Sequence, residues 1–206
     1  MTEWAKKGPA GSGGGGAGGG AGLEEPGYLM EQPLSAADRG TAAHLFLEHL
    51  DFSGCETDGQ LQDQLSGLVR KKLMTDAQAA AIEMPMIRWF LESDVGRLLR
   101  EGAGRLLREL PLNYALPPDR FIGVGSLDPV DGVMVRGRID LLLSDEDGFT
   151  LIDYKTDAVW GDGIAERCEL YRPQVDLYRE AIQRITGRAV HTVYLVFLTP
   201  RRNVAI

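Results

Sequence analysis

Val135 to Asp157 reads VRGRIDLLLSDEDGFTLIDYKTD, and this stretch decides the fold. Val133 to Leu143 is a long apolar, β-branched run, which favours a strand. SDEDG (Ser144 to Gly148) is a hairpin turn, and Phe149 to Thr156 is the next strand. Both strands contain charge where an apolar core is expected. Asp140 is flanked by Ile139, Leu141, Leu142 and Leu143, while Asp153 and Lys155 follow Leu151 and Ile152. Burying an ionised carboxylate is costly unless it is paired or holds a metal. Strand alternation puts Asp153 and Lys155 on one face, and the tight turn brings Asp140 beside them. Two acids and a lysine then converge on one edge of a sheet. A buried Asp–Lys pair closing a hairpin is the plainer reading. Three ionisable groups in two apolar strands favour a site instead.

Such a site suits metal-assisted hydrolysis of a phosphodiester. Hard carboxylate oxygens suit Mg2+, with Mn2+ as a substitute. The metal polarises the phosphate and acidifies its water, and the lysine stabilises charge or positions the attacking water.

Upstream of the hairpin, Glu109 to Leu116 reads as extended, Phe121 to Leu127 as a strand and DPVDG (Asp128 to Gly132) as a turn. Downstream, Tyr171 to Thr186 is a helix with Gly187 as its C-cap, and His191 to Leu198 is a short buried strand. The N-terminal half is helical. Ser35 caps a helix over Ala36 to Leu50, and Gln60 to Leu73 is amphipathic. Asp76 to Glu92 forms a helix that Pro85 kinks or delimits, and Ser93 caps a short helix. The order predicts an α/β fold, a mixed central β-sheet flanked by helices.

Ten of the 26 glycines fall between Gly8 and Gly22, so residues 1–33 are expected to be a flexible tail or linker and 34–206 the folded domain. A phosphate-cradling loop needs a preceding strand, a following helix and a GK(S/T) ending, and none is present. No GxxxxGK(S/T) motif occurs anywhere, so no ATP site is expected in this chain. The net charge of -8 excludes a uniformly basic nucleic-acid coat. Cys55 and Cys168 cannot supply a four-thiolate iron–sulfur cluster. They read as reduced thiols of a cytoplasmic protein. No apolar run reaches membrane-spanning length.

GRID (Gly137 to Asp140), DYKTD (Asp153 to Asp157) and Gln174 with Tyr178 in YRPQVDLYREA resemble the RecB-like branch of the PD-(D/E)xK nucleases. RGTAAHLFLEHLDF (Arg39 to Phe52) makes the chain similar to the AddA-type nuclease domains of bacterial helicase–nucleases, over about Leu34 to Leu198. The resemblance implies a restriction-endonuclease-like core. It implies metal ligation by His44, Asp140, Asp153 and the Tyr154 backbone carbonyl. It makes Lys155 the catalytic lysine, with Asp140 and Asp153 beside it. Gln174 and Tyr178, four apart on one helix face, would orient the lysine and the phosphate. The family's first proline is replaced by Ile139. The resemblance further implies a Mg2+-dependent deoxyribonuclease, exonucleolytic on single-stranded DNA ends and acting in double-strand-break repair and recombination. Its partners would be a helicase motor and an AddB-like subunit. The alternative is a non-catalytic nuclease-fold module that binds DNA or a helicase partner.

Other residues carry less. His49 and His191 read as structural, Tyr171 as core packing with base stacking as the alternative, and Asp157 as closing a strand end. Glu109 has two open readings: an acid near the site by the resemblance, or half of a surface ion pair. Lys71 and Lys72, the group Arg97, Arg100, Arg105 and Arg108, and Arg201 with Arg202 are either DNA contacts or solvated faces.

Overall fold

The computed structural model describes residues 34–116 and 133–206. The expected tail, the strand over Phe121 to Leu127 and the DPVDG turn lie outside the described residues. Five helices come first: α1 (Ala36–His49), α2 (Asp58–Arg70), α3 (Asp76–Ala80), α4 (Met84–Glu92) and α5 (Asp94–Glu101). After a 3-10 turn come β1 (Leu106–Leu116), β2 (Val133–Ser144) and β3 (Gly148–Lys155). The chain ends with α6 (Gly163–Thr186), β4 (Ala189–Phe197) and β5 (Arg202–Ala205).

Capping chemistry sets most helix starts. Ser35, Thr57 and Thr75 each form a capping box with Asp38, Gln60 and Gln78, and Ser93 accepts from the Gly96 amide. Each such cap stabilises its helix by roughly 1 kcal/mol. The helix expected over Asp76 to Glu92 is two helices, because Pro85 occupies the first turn of α4, where its missing N–H costs nothing. Conversely, α6 starts eight residues before Tyr171 and runs through Pro173. Pro173 is on the exposed side, where water can meet the carbonyl that it leaves unpaired. Gly187 closes α6 with φ +72°, as its cap position predicts. The strand β5 was not expected. A turn at Arg201, with φ +57°, folds RNVA back onto β4.

The sheet order is β1-β2-β3-β4-β5, with β3 and β4 parallel and the other neighbours antiparallel. One face carries α1, α2, α4 and α5 over a core built on Phe46, Phe90, Leu141, Ile152 and Tyr154. The other face carries α6 over Leu142, Leu151, Val175, Tyr178 and Leu195. Fully burying one such Leu or Phe side chain contributes about 1.5–3 kcal/mol.

The β1/β2 pair turns over partway along. On β1, Leu106 packs with the α1 layer, while Leu110 and Leu112 pack with α6. On β2, Leu141 and Leu143 face the α1 layer, while Ile139 faces the α6 layer. Residues of the same parity therefore change face between Arg108 and Leu110 and between Ile139 and Leu141. The ladder skips one position there, the Glu109/Asp140 step, and Glu109 has φ +48°. A non-glycine residue in that region is strained. Beyond the step, β1 and β2 continue as a two-stranded arm, because β2 and β3 pair only from Leu141/Ile152 to Ser144/Phe149.

Candidate active site

The notch where β2 parts from β3 gathers the ionisable residues. Beyond the Leu141/Ile152 pair the Tyr154 amide has no β2 carbonyl to meet, and Asp140 takes its place. The Tyr154 N–H donates to Asp140 Oδ2 at 2.7 Å. The other carboxylate oxygen, Oδ1, lies 3.5 Å from His44 Nδ1. His44 reaches the notch because α1 packs tightly on the end of β3 one turn earlier. A Cβ on Gly40 would lie 2.7 Å from Thr156 Oγ1. The Tyr154 ring, buried in the α1 layer, meets His44 edge-on with centroids 6.0 Å apart.

Glu109 joins this group. Ligand atoms of His44, Glu109 and Asp140 lie within 4.8 Å of one another. The positive φ at Glu109 and the overturned strands bring its carboxylate edgewise into the notch. Glu109 also accepts from Arg138 at 3.2 Å, so both of its sequence readings describe real contacts. Burial and Asp140 hold the Glu109 carboxyl above the usual range, and Arg138 partly offsets this. For His44, burial disfavours the cation, but Asp140, aided by Asp153 and Glu109, more than offsets it, and the net shift is upward. The sequence signal for Glu109 was the one that marked Asp140: an acid inside an apolar strand, here LRELPL.

Asp153 lies on the next strand and is 2% exposed. Its Oδ2 is 2.5 Å from Lys155 Nζ, a close buried ion pair. Burial pushes the Asp153 carboxyl up to about 6, against the pull of Lys155. Lys155 is enclosed from three sides. Gln174 Oε1 accepts from Nζ at 3.3 Å, and Gln174 Nε2 donates to Tyr178 Oη at 2.9 Å. The ammonium also sits 4.0 Å over the Tyr171 ring. Tyr171 in turn donates to both Asp157 oxygens, at 3.0 and 2.8 Å. Burial and Asp157 push the Tyr171 hydroxyl up to about 12. Tyr171 thus packs near Phe197 as expected, but its ring face is used by Lys155.

The structure thus groups the expected residues in two neighbouring sets. His44, Asp140 and Glu109, whose reading the sequence left open, form one. Asp153, Lys155, Gln174 and Tyr178 form the other, with Tyr171 and Asp157 behind them. Three of the four arginines of the basic group near β1 are used locally, while the buried Nε of Arg100 meets no hydrogen-bond partner among the described residues. Arg108 donates to the Glu48 and Leu50 carbonyls at the end of α1, Arg105 to the Ser144 carbonyl, and Arg97 pairs with Asp94. His49 and His191 lie outside both sets.

The donor set fits a hard divalent cation. It offers one imidazole nitrogen and carboxylate oxygens from two strands, and Asp153 on the next strand adds a buried carboxylate.

A mixed sheet between helical layers, split at a notch of acids with a caged lysine beside it, is the plan of one nuclease class. Residues 19–203 match the PD-(D/E)XK nuclease superfamily, and the chain belongs to it. The chain is similar to the AddA protein of Listeria welshimeri, an ATP-dependent helicase/nuclease, and is 34% identical to it over 181 residues. The aligned part is 85% of this chain and 14% of that protein. The corresponding protein of Moorella thermoacetica is 36% identical over 176 residues, 84% of this chain and 12% of its own length. That of Geobacillus thermodenitrificans is 33% identical over 180 residues, with 84% and 14% covered. The chain therefore spans about one seventh of the relatives' length. Among the described residues, no helix is long and apolar enough to cross a membrane.

Proposed function

We propose that this chain is a divalent-cation-dependent deoxyribonuclease domain, the nuclease part of an AddA-type helicase–nuclease. One observation carries the reading: Lys155, held by Asp153 and Gln174, stands beside the His44, Glu109 and Asp140 cluster. The family fold supports it, as do relatives whose names join helicase to nuclease. The substrate in this reading is single-stranded DNA delivered to the notch by a helicase motor, with an AddB-like partner chain beside it, in the cytoplasm. The outcome is exonucleolytic trimming of broken ends during repair and recombination.

His44, Asp140 and Asp153 would hold the cation, with Glu109 adjoining and the Tyr154 carbonyl as a further oxygen donor. Bound there, Mg2+ or Mn2+ supplies Lewis acidity at the scissile phosphate and a water more acidic than bulk. The protein's own groups do the positioning. Asp140, fixed by the Tyr154 amide, cannot swing away from the notch. The Lys155 charge offsets the negative charge that grows on the phosphate oxygens. Gln174 and Tyr178 limit where the ammonium can point. In the reaction, a water oxygen bonds to phosphorus and the bond from phosphorus to the leaving sugar oxygen breaks. One proton leaves the water, and one ends on the leaving oxygen.

The test is cleavage of end-labelled single- and double-stranded DNA in Mg2+, Mn2+ or EDTA. Asp153→Ala and Lys155→Ala abolish cutting. Unchanged activity in both variants overturns the mechanism.

A further inference from the structure

The arm beyond the overturned step has two unlike faces. Leu112, Tyr114 and Leu116 of β1 lie against the α6 layer. The opposite face presents Pro111 and Asn113 of β1, paired across to Arg138 and Arg136 of β2, and all four are exposed. Arg136, Arg138 and Asp140 are successive alternate residues of one strand. Two strand residues advance the chain by about 6.8 Å, close to the step between phosphates of an extended single strand. The row begins at the notch, where Arg138 contacts Glu109 at 3.2 Å. Arg138 is 66% exposed even so, and Arg136 makes no ion pair or hydrogen bond among the described residues. The unpartnered Arg136 and the largely exposed Arg138 place positive charge beside the acid cluster of a chain whose net charge is -8. Most other arginines near the sheet are tied to carbonyls or acids, as Arg105, Arg108 and Arg188 show.

We propose that Arg136 and Arg138 form a phosphate track on the outer face of the arm, which guides a single DNA strand into the notch. The inference rests on the nuclease reading. Guanidinium groups bind phosphate oxygens in a planar, two-point fashion, and two of them at strand spacing hold successive phosphates without reading bases. The track supplies the attraction that the acid cluster lacks. An anionic strand approaching three carboxylates is repelled, and the row of arginines offsets this along the line of approach. It also sets register, since Arg138 reaches both the strand and the acid cluster.

The experiment uses the full chain and a 5′-fluorescein-labelled oligothymidylate of about 20 nucleotides, a length that covers several phosphate contacts. Anisotropy in EDTA, where cutting stops, gives Kd as a function of salt. Arg136→Gln is the informative variant, because Arg138→Gln also frees Glu109. Each lost phosphate contact lowers the slope of log Kd against log salt by about 0.7. Arg136→Gln is therefore expected to lose that much slope, to bind about three- to tenfold more weakly and to raise KM for cleavage in Mg2+. Arg184→Gln is the matched control. Arg184 lies on the α6 side of the same arm, over the Tyr114 ring, and its removal leaves slope and KM unchanged. A wild-type chain that binds and cuts, with Arg136→Gln identical in slope and KM, overturns the track and leaves the nuclease reading standing. A wild-type chain that neither binds nor cuts overturns both.

Discussion

Gly137 lies directly under the ring of Tyr178: a Cβ at this position would be 3.0 Å from Cε1 and 3.1 Å from the hydroxyl. Tyr178 accepts from Gln174, and Gln174 accepts from Lys155, so a β2 glycine sets the height of the lysine's support. Gly137→Ala is compatible with strand backbone but must push the ring away. We expect the cleavage rate to fall at least about tenfold, the cost of losing one well-placed interaction. The melting temperature should change little, and circular dichroism with single-turnover kinetics separates the two effects.

Gly40 offers the complementary case on α1. Alanine there improves helix propensity by about 1 kcal/mol, yet its methyl group overlaps Thr156 Oγ1. If Thr156 rotates away, the variant is neutral or stabilised. If α1 lifts instead, His44 withdraws from Asp140. We expect α1 to lift, so that Mn2+ titration of Gly40→Ala shows weaker binding than wild type together with lower stability. Equal Mn2+ affinity would show that α1 keeps its seat.

Asp153 couples stability to pH. Its folded-state carboxyl is raised to about 6 from an ordinary value of 3.8, mainly by burial. The folded state therefore holds this proton more tightly than the unfolded chain. That contribution to stability is present below about pH 4 and is lost as pH rises through about 6. In metal-free buffer, Asp153→Asn should melt a few degrees higher than wild type at pH 7.5, with the difference shrinking toward pH 4. Adding Mn2+ should reverse the order at pH 7.5, because only the wild type keeps the full ligand set. Metal affinity of the wild type should fall between pH 8 and 6, since protons compete for Asp153 and His44. Thermal-shift titrations at several pH values read all three outcomes.

Tyr171 separates ring from hydroxyl. Phenylalanine keeps the face under Lys155 and loses the two bonds to Asp157, whereas leucine removes the face as well. We expect Tyr171→Phe to retain most of the cleavage rate and Tyr171→Leu to lose about tenfold, in line with a partly desolvated cation–π contact. Equal losses in both would assign the effect to the Asp157 bonds.

How far the chain could be read depended on whether the signal was local. Asp140, Asp153 and Lys155 stood out because charge interrupts an apolar run, and the capping residues Ser35 and Ser93 marked helix starts directly. Glu109 carried the same interruption, but its place depends on a strand pair that changes face, and alternation alone does not reveal that. Arg108 looked like part of a basic surface. Only the packing of α1 shows that it is used on the Glu48 and Leu50 carbonyls. The expected helix began at Tyr171, and the first eight residues of α6, Gly163 to Leu170, were missed because they carry few apolar residues to mark a helical face. Tyr171 was legible as a packed aromatic residue, while the ammonium above it belongs to a different element.

The overturned Glu109/Asp140 step has a further consequence. With no ladder pair there, the arm is attached to the main sheet by two backbones and no cross-bonds at that point. The arm stays seated even so, because Leu112, Tyr114 and Leu116 are buried in the α6 core and Gly137 lies against Tyr178. The step is thus a fixed crossover: one pair of strands serves both cores, and the residues at the crossing, Glu109 and Asp140, belong to neither and are left to meet His44.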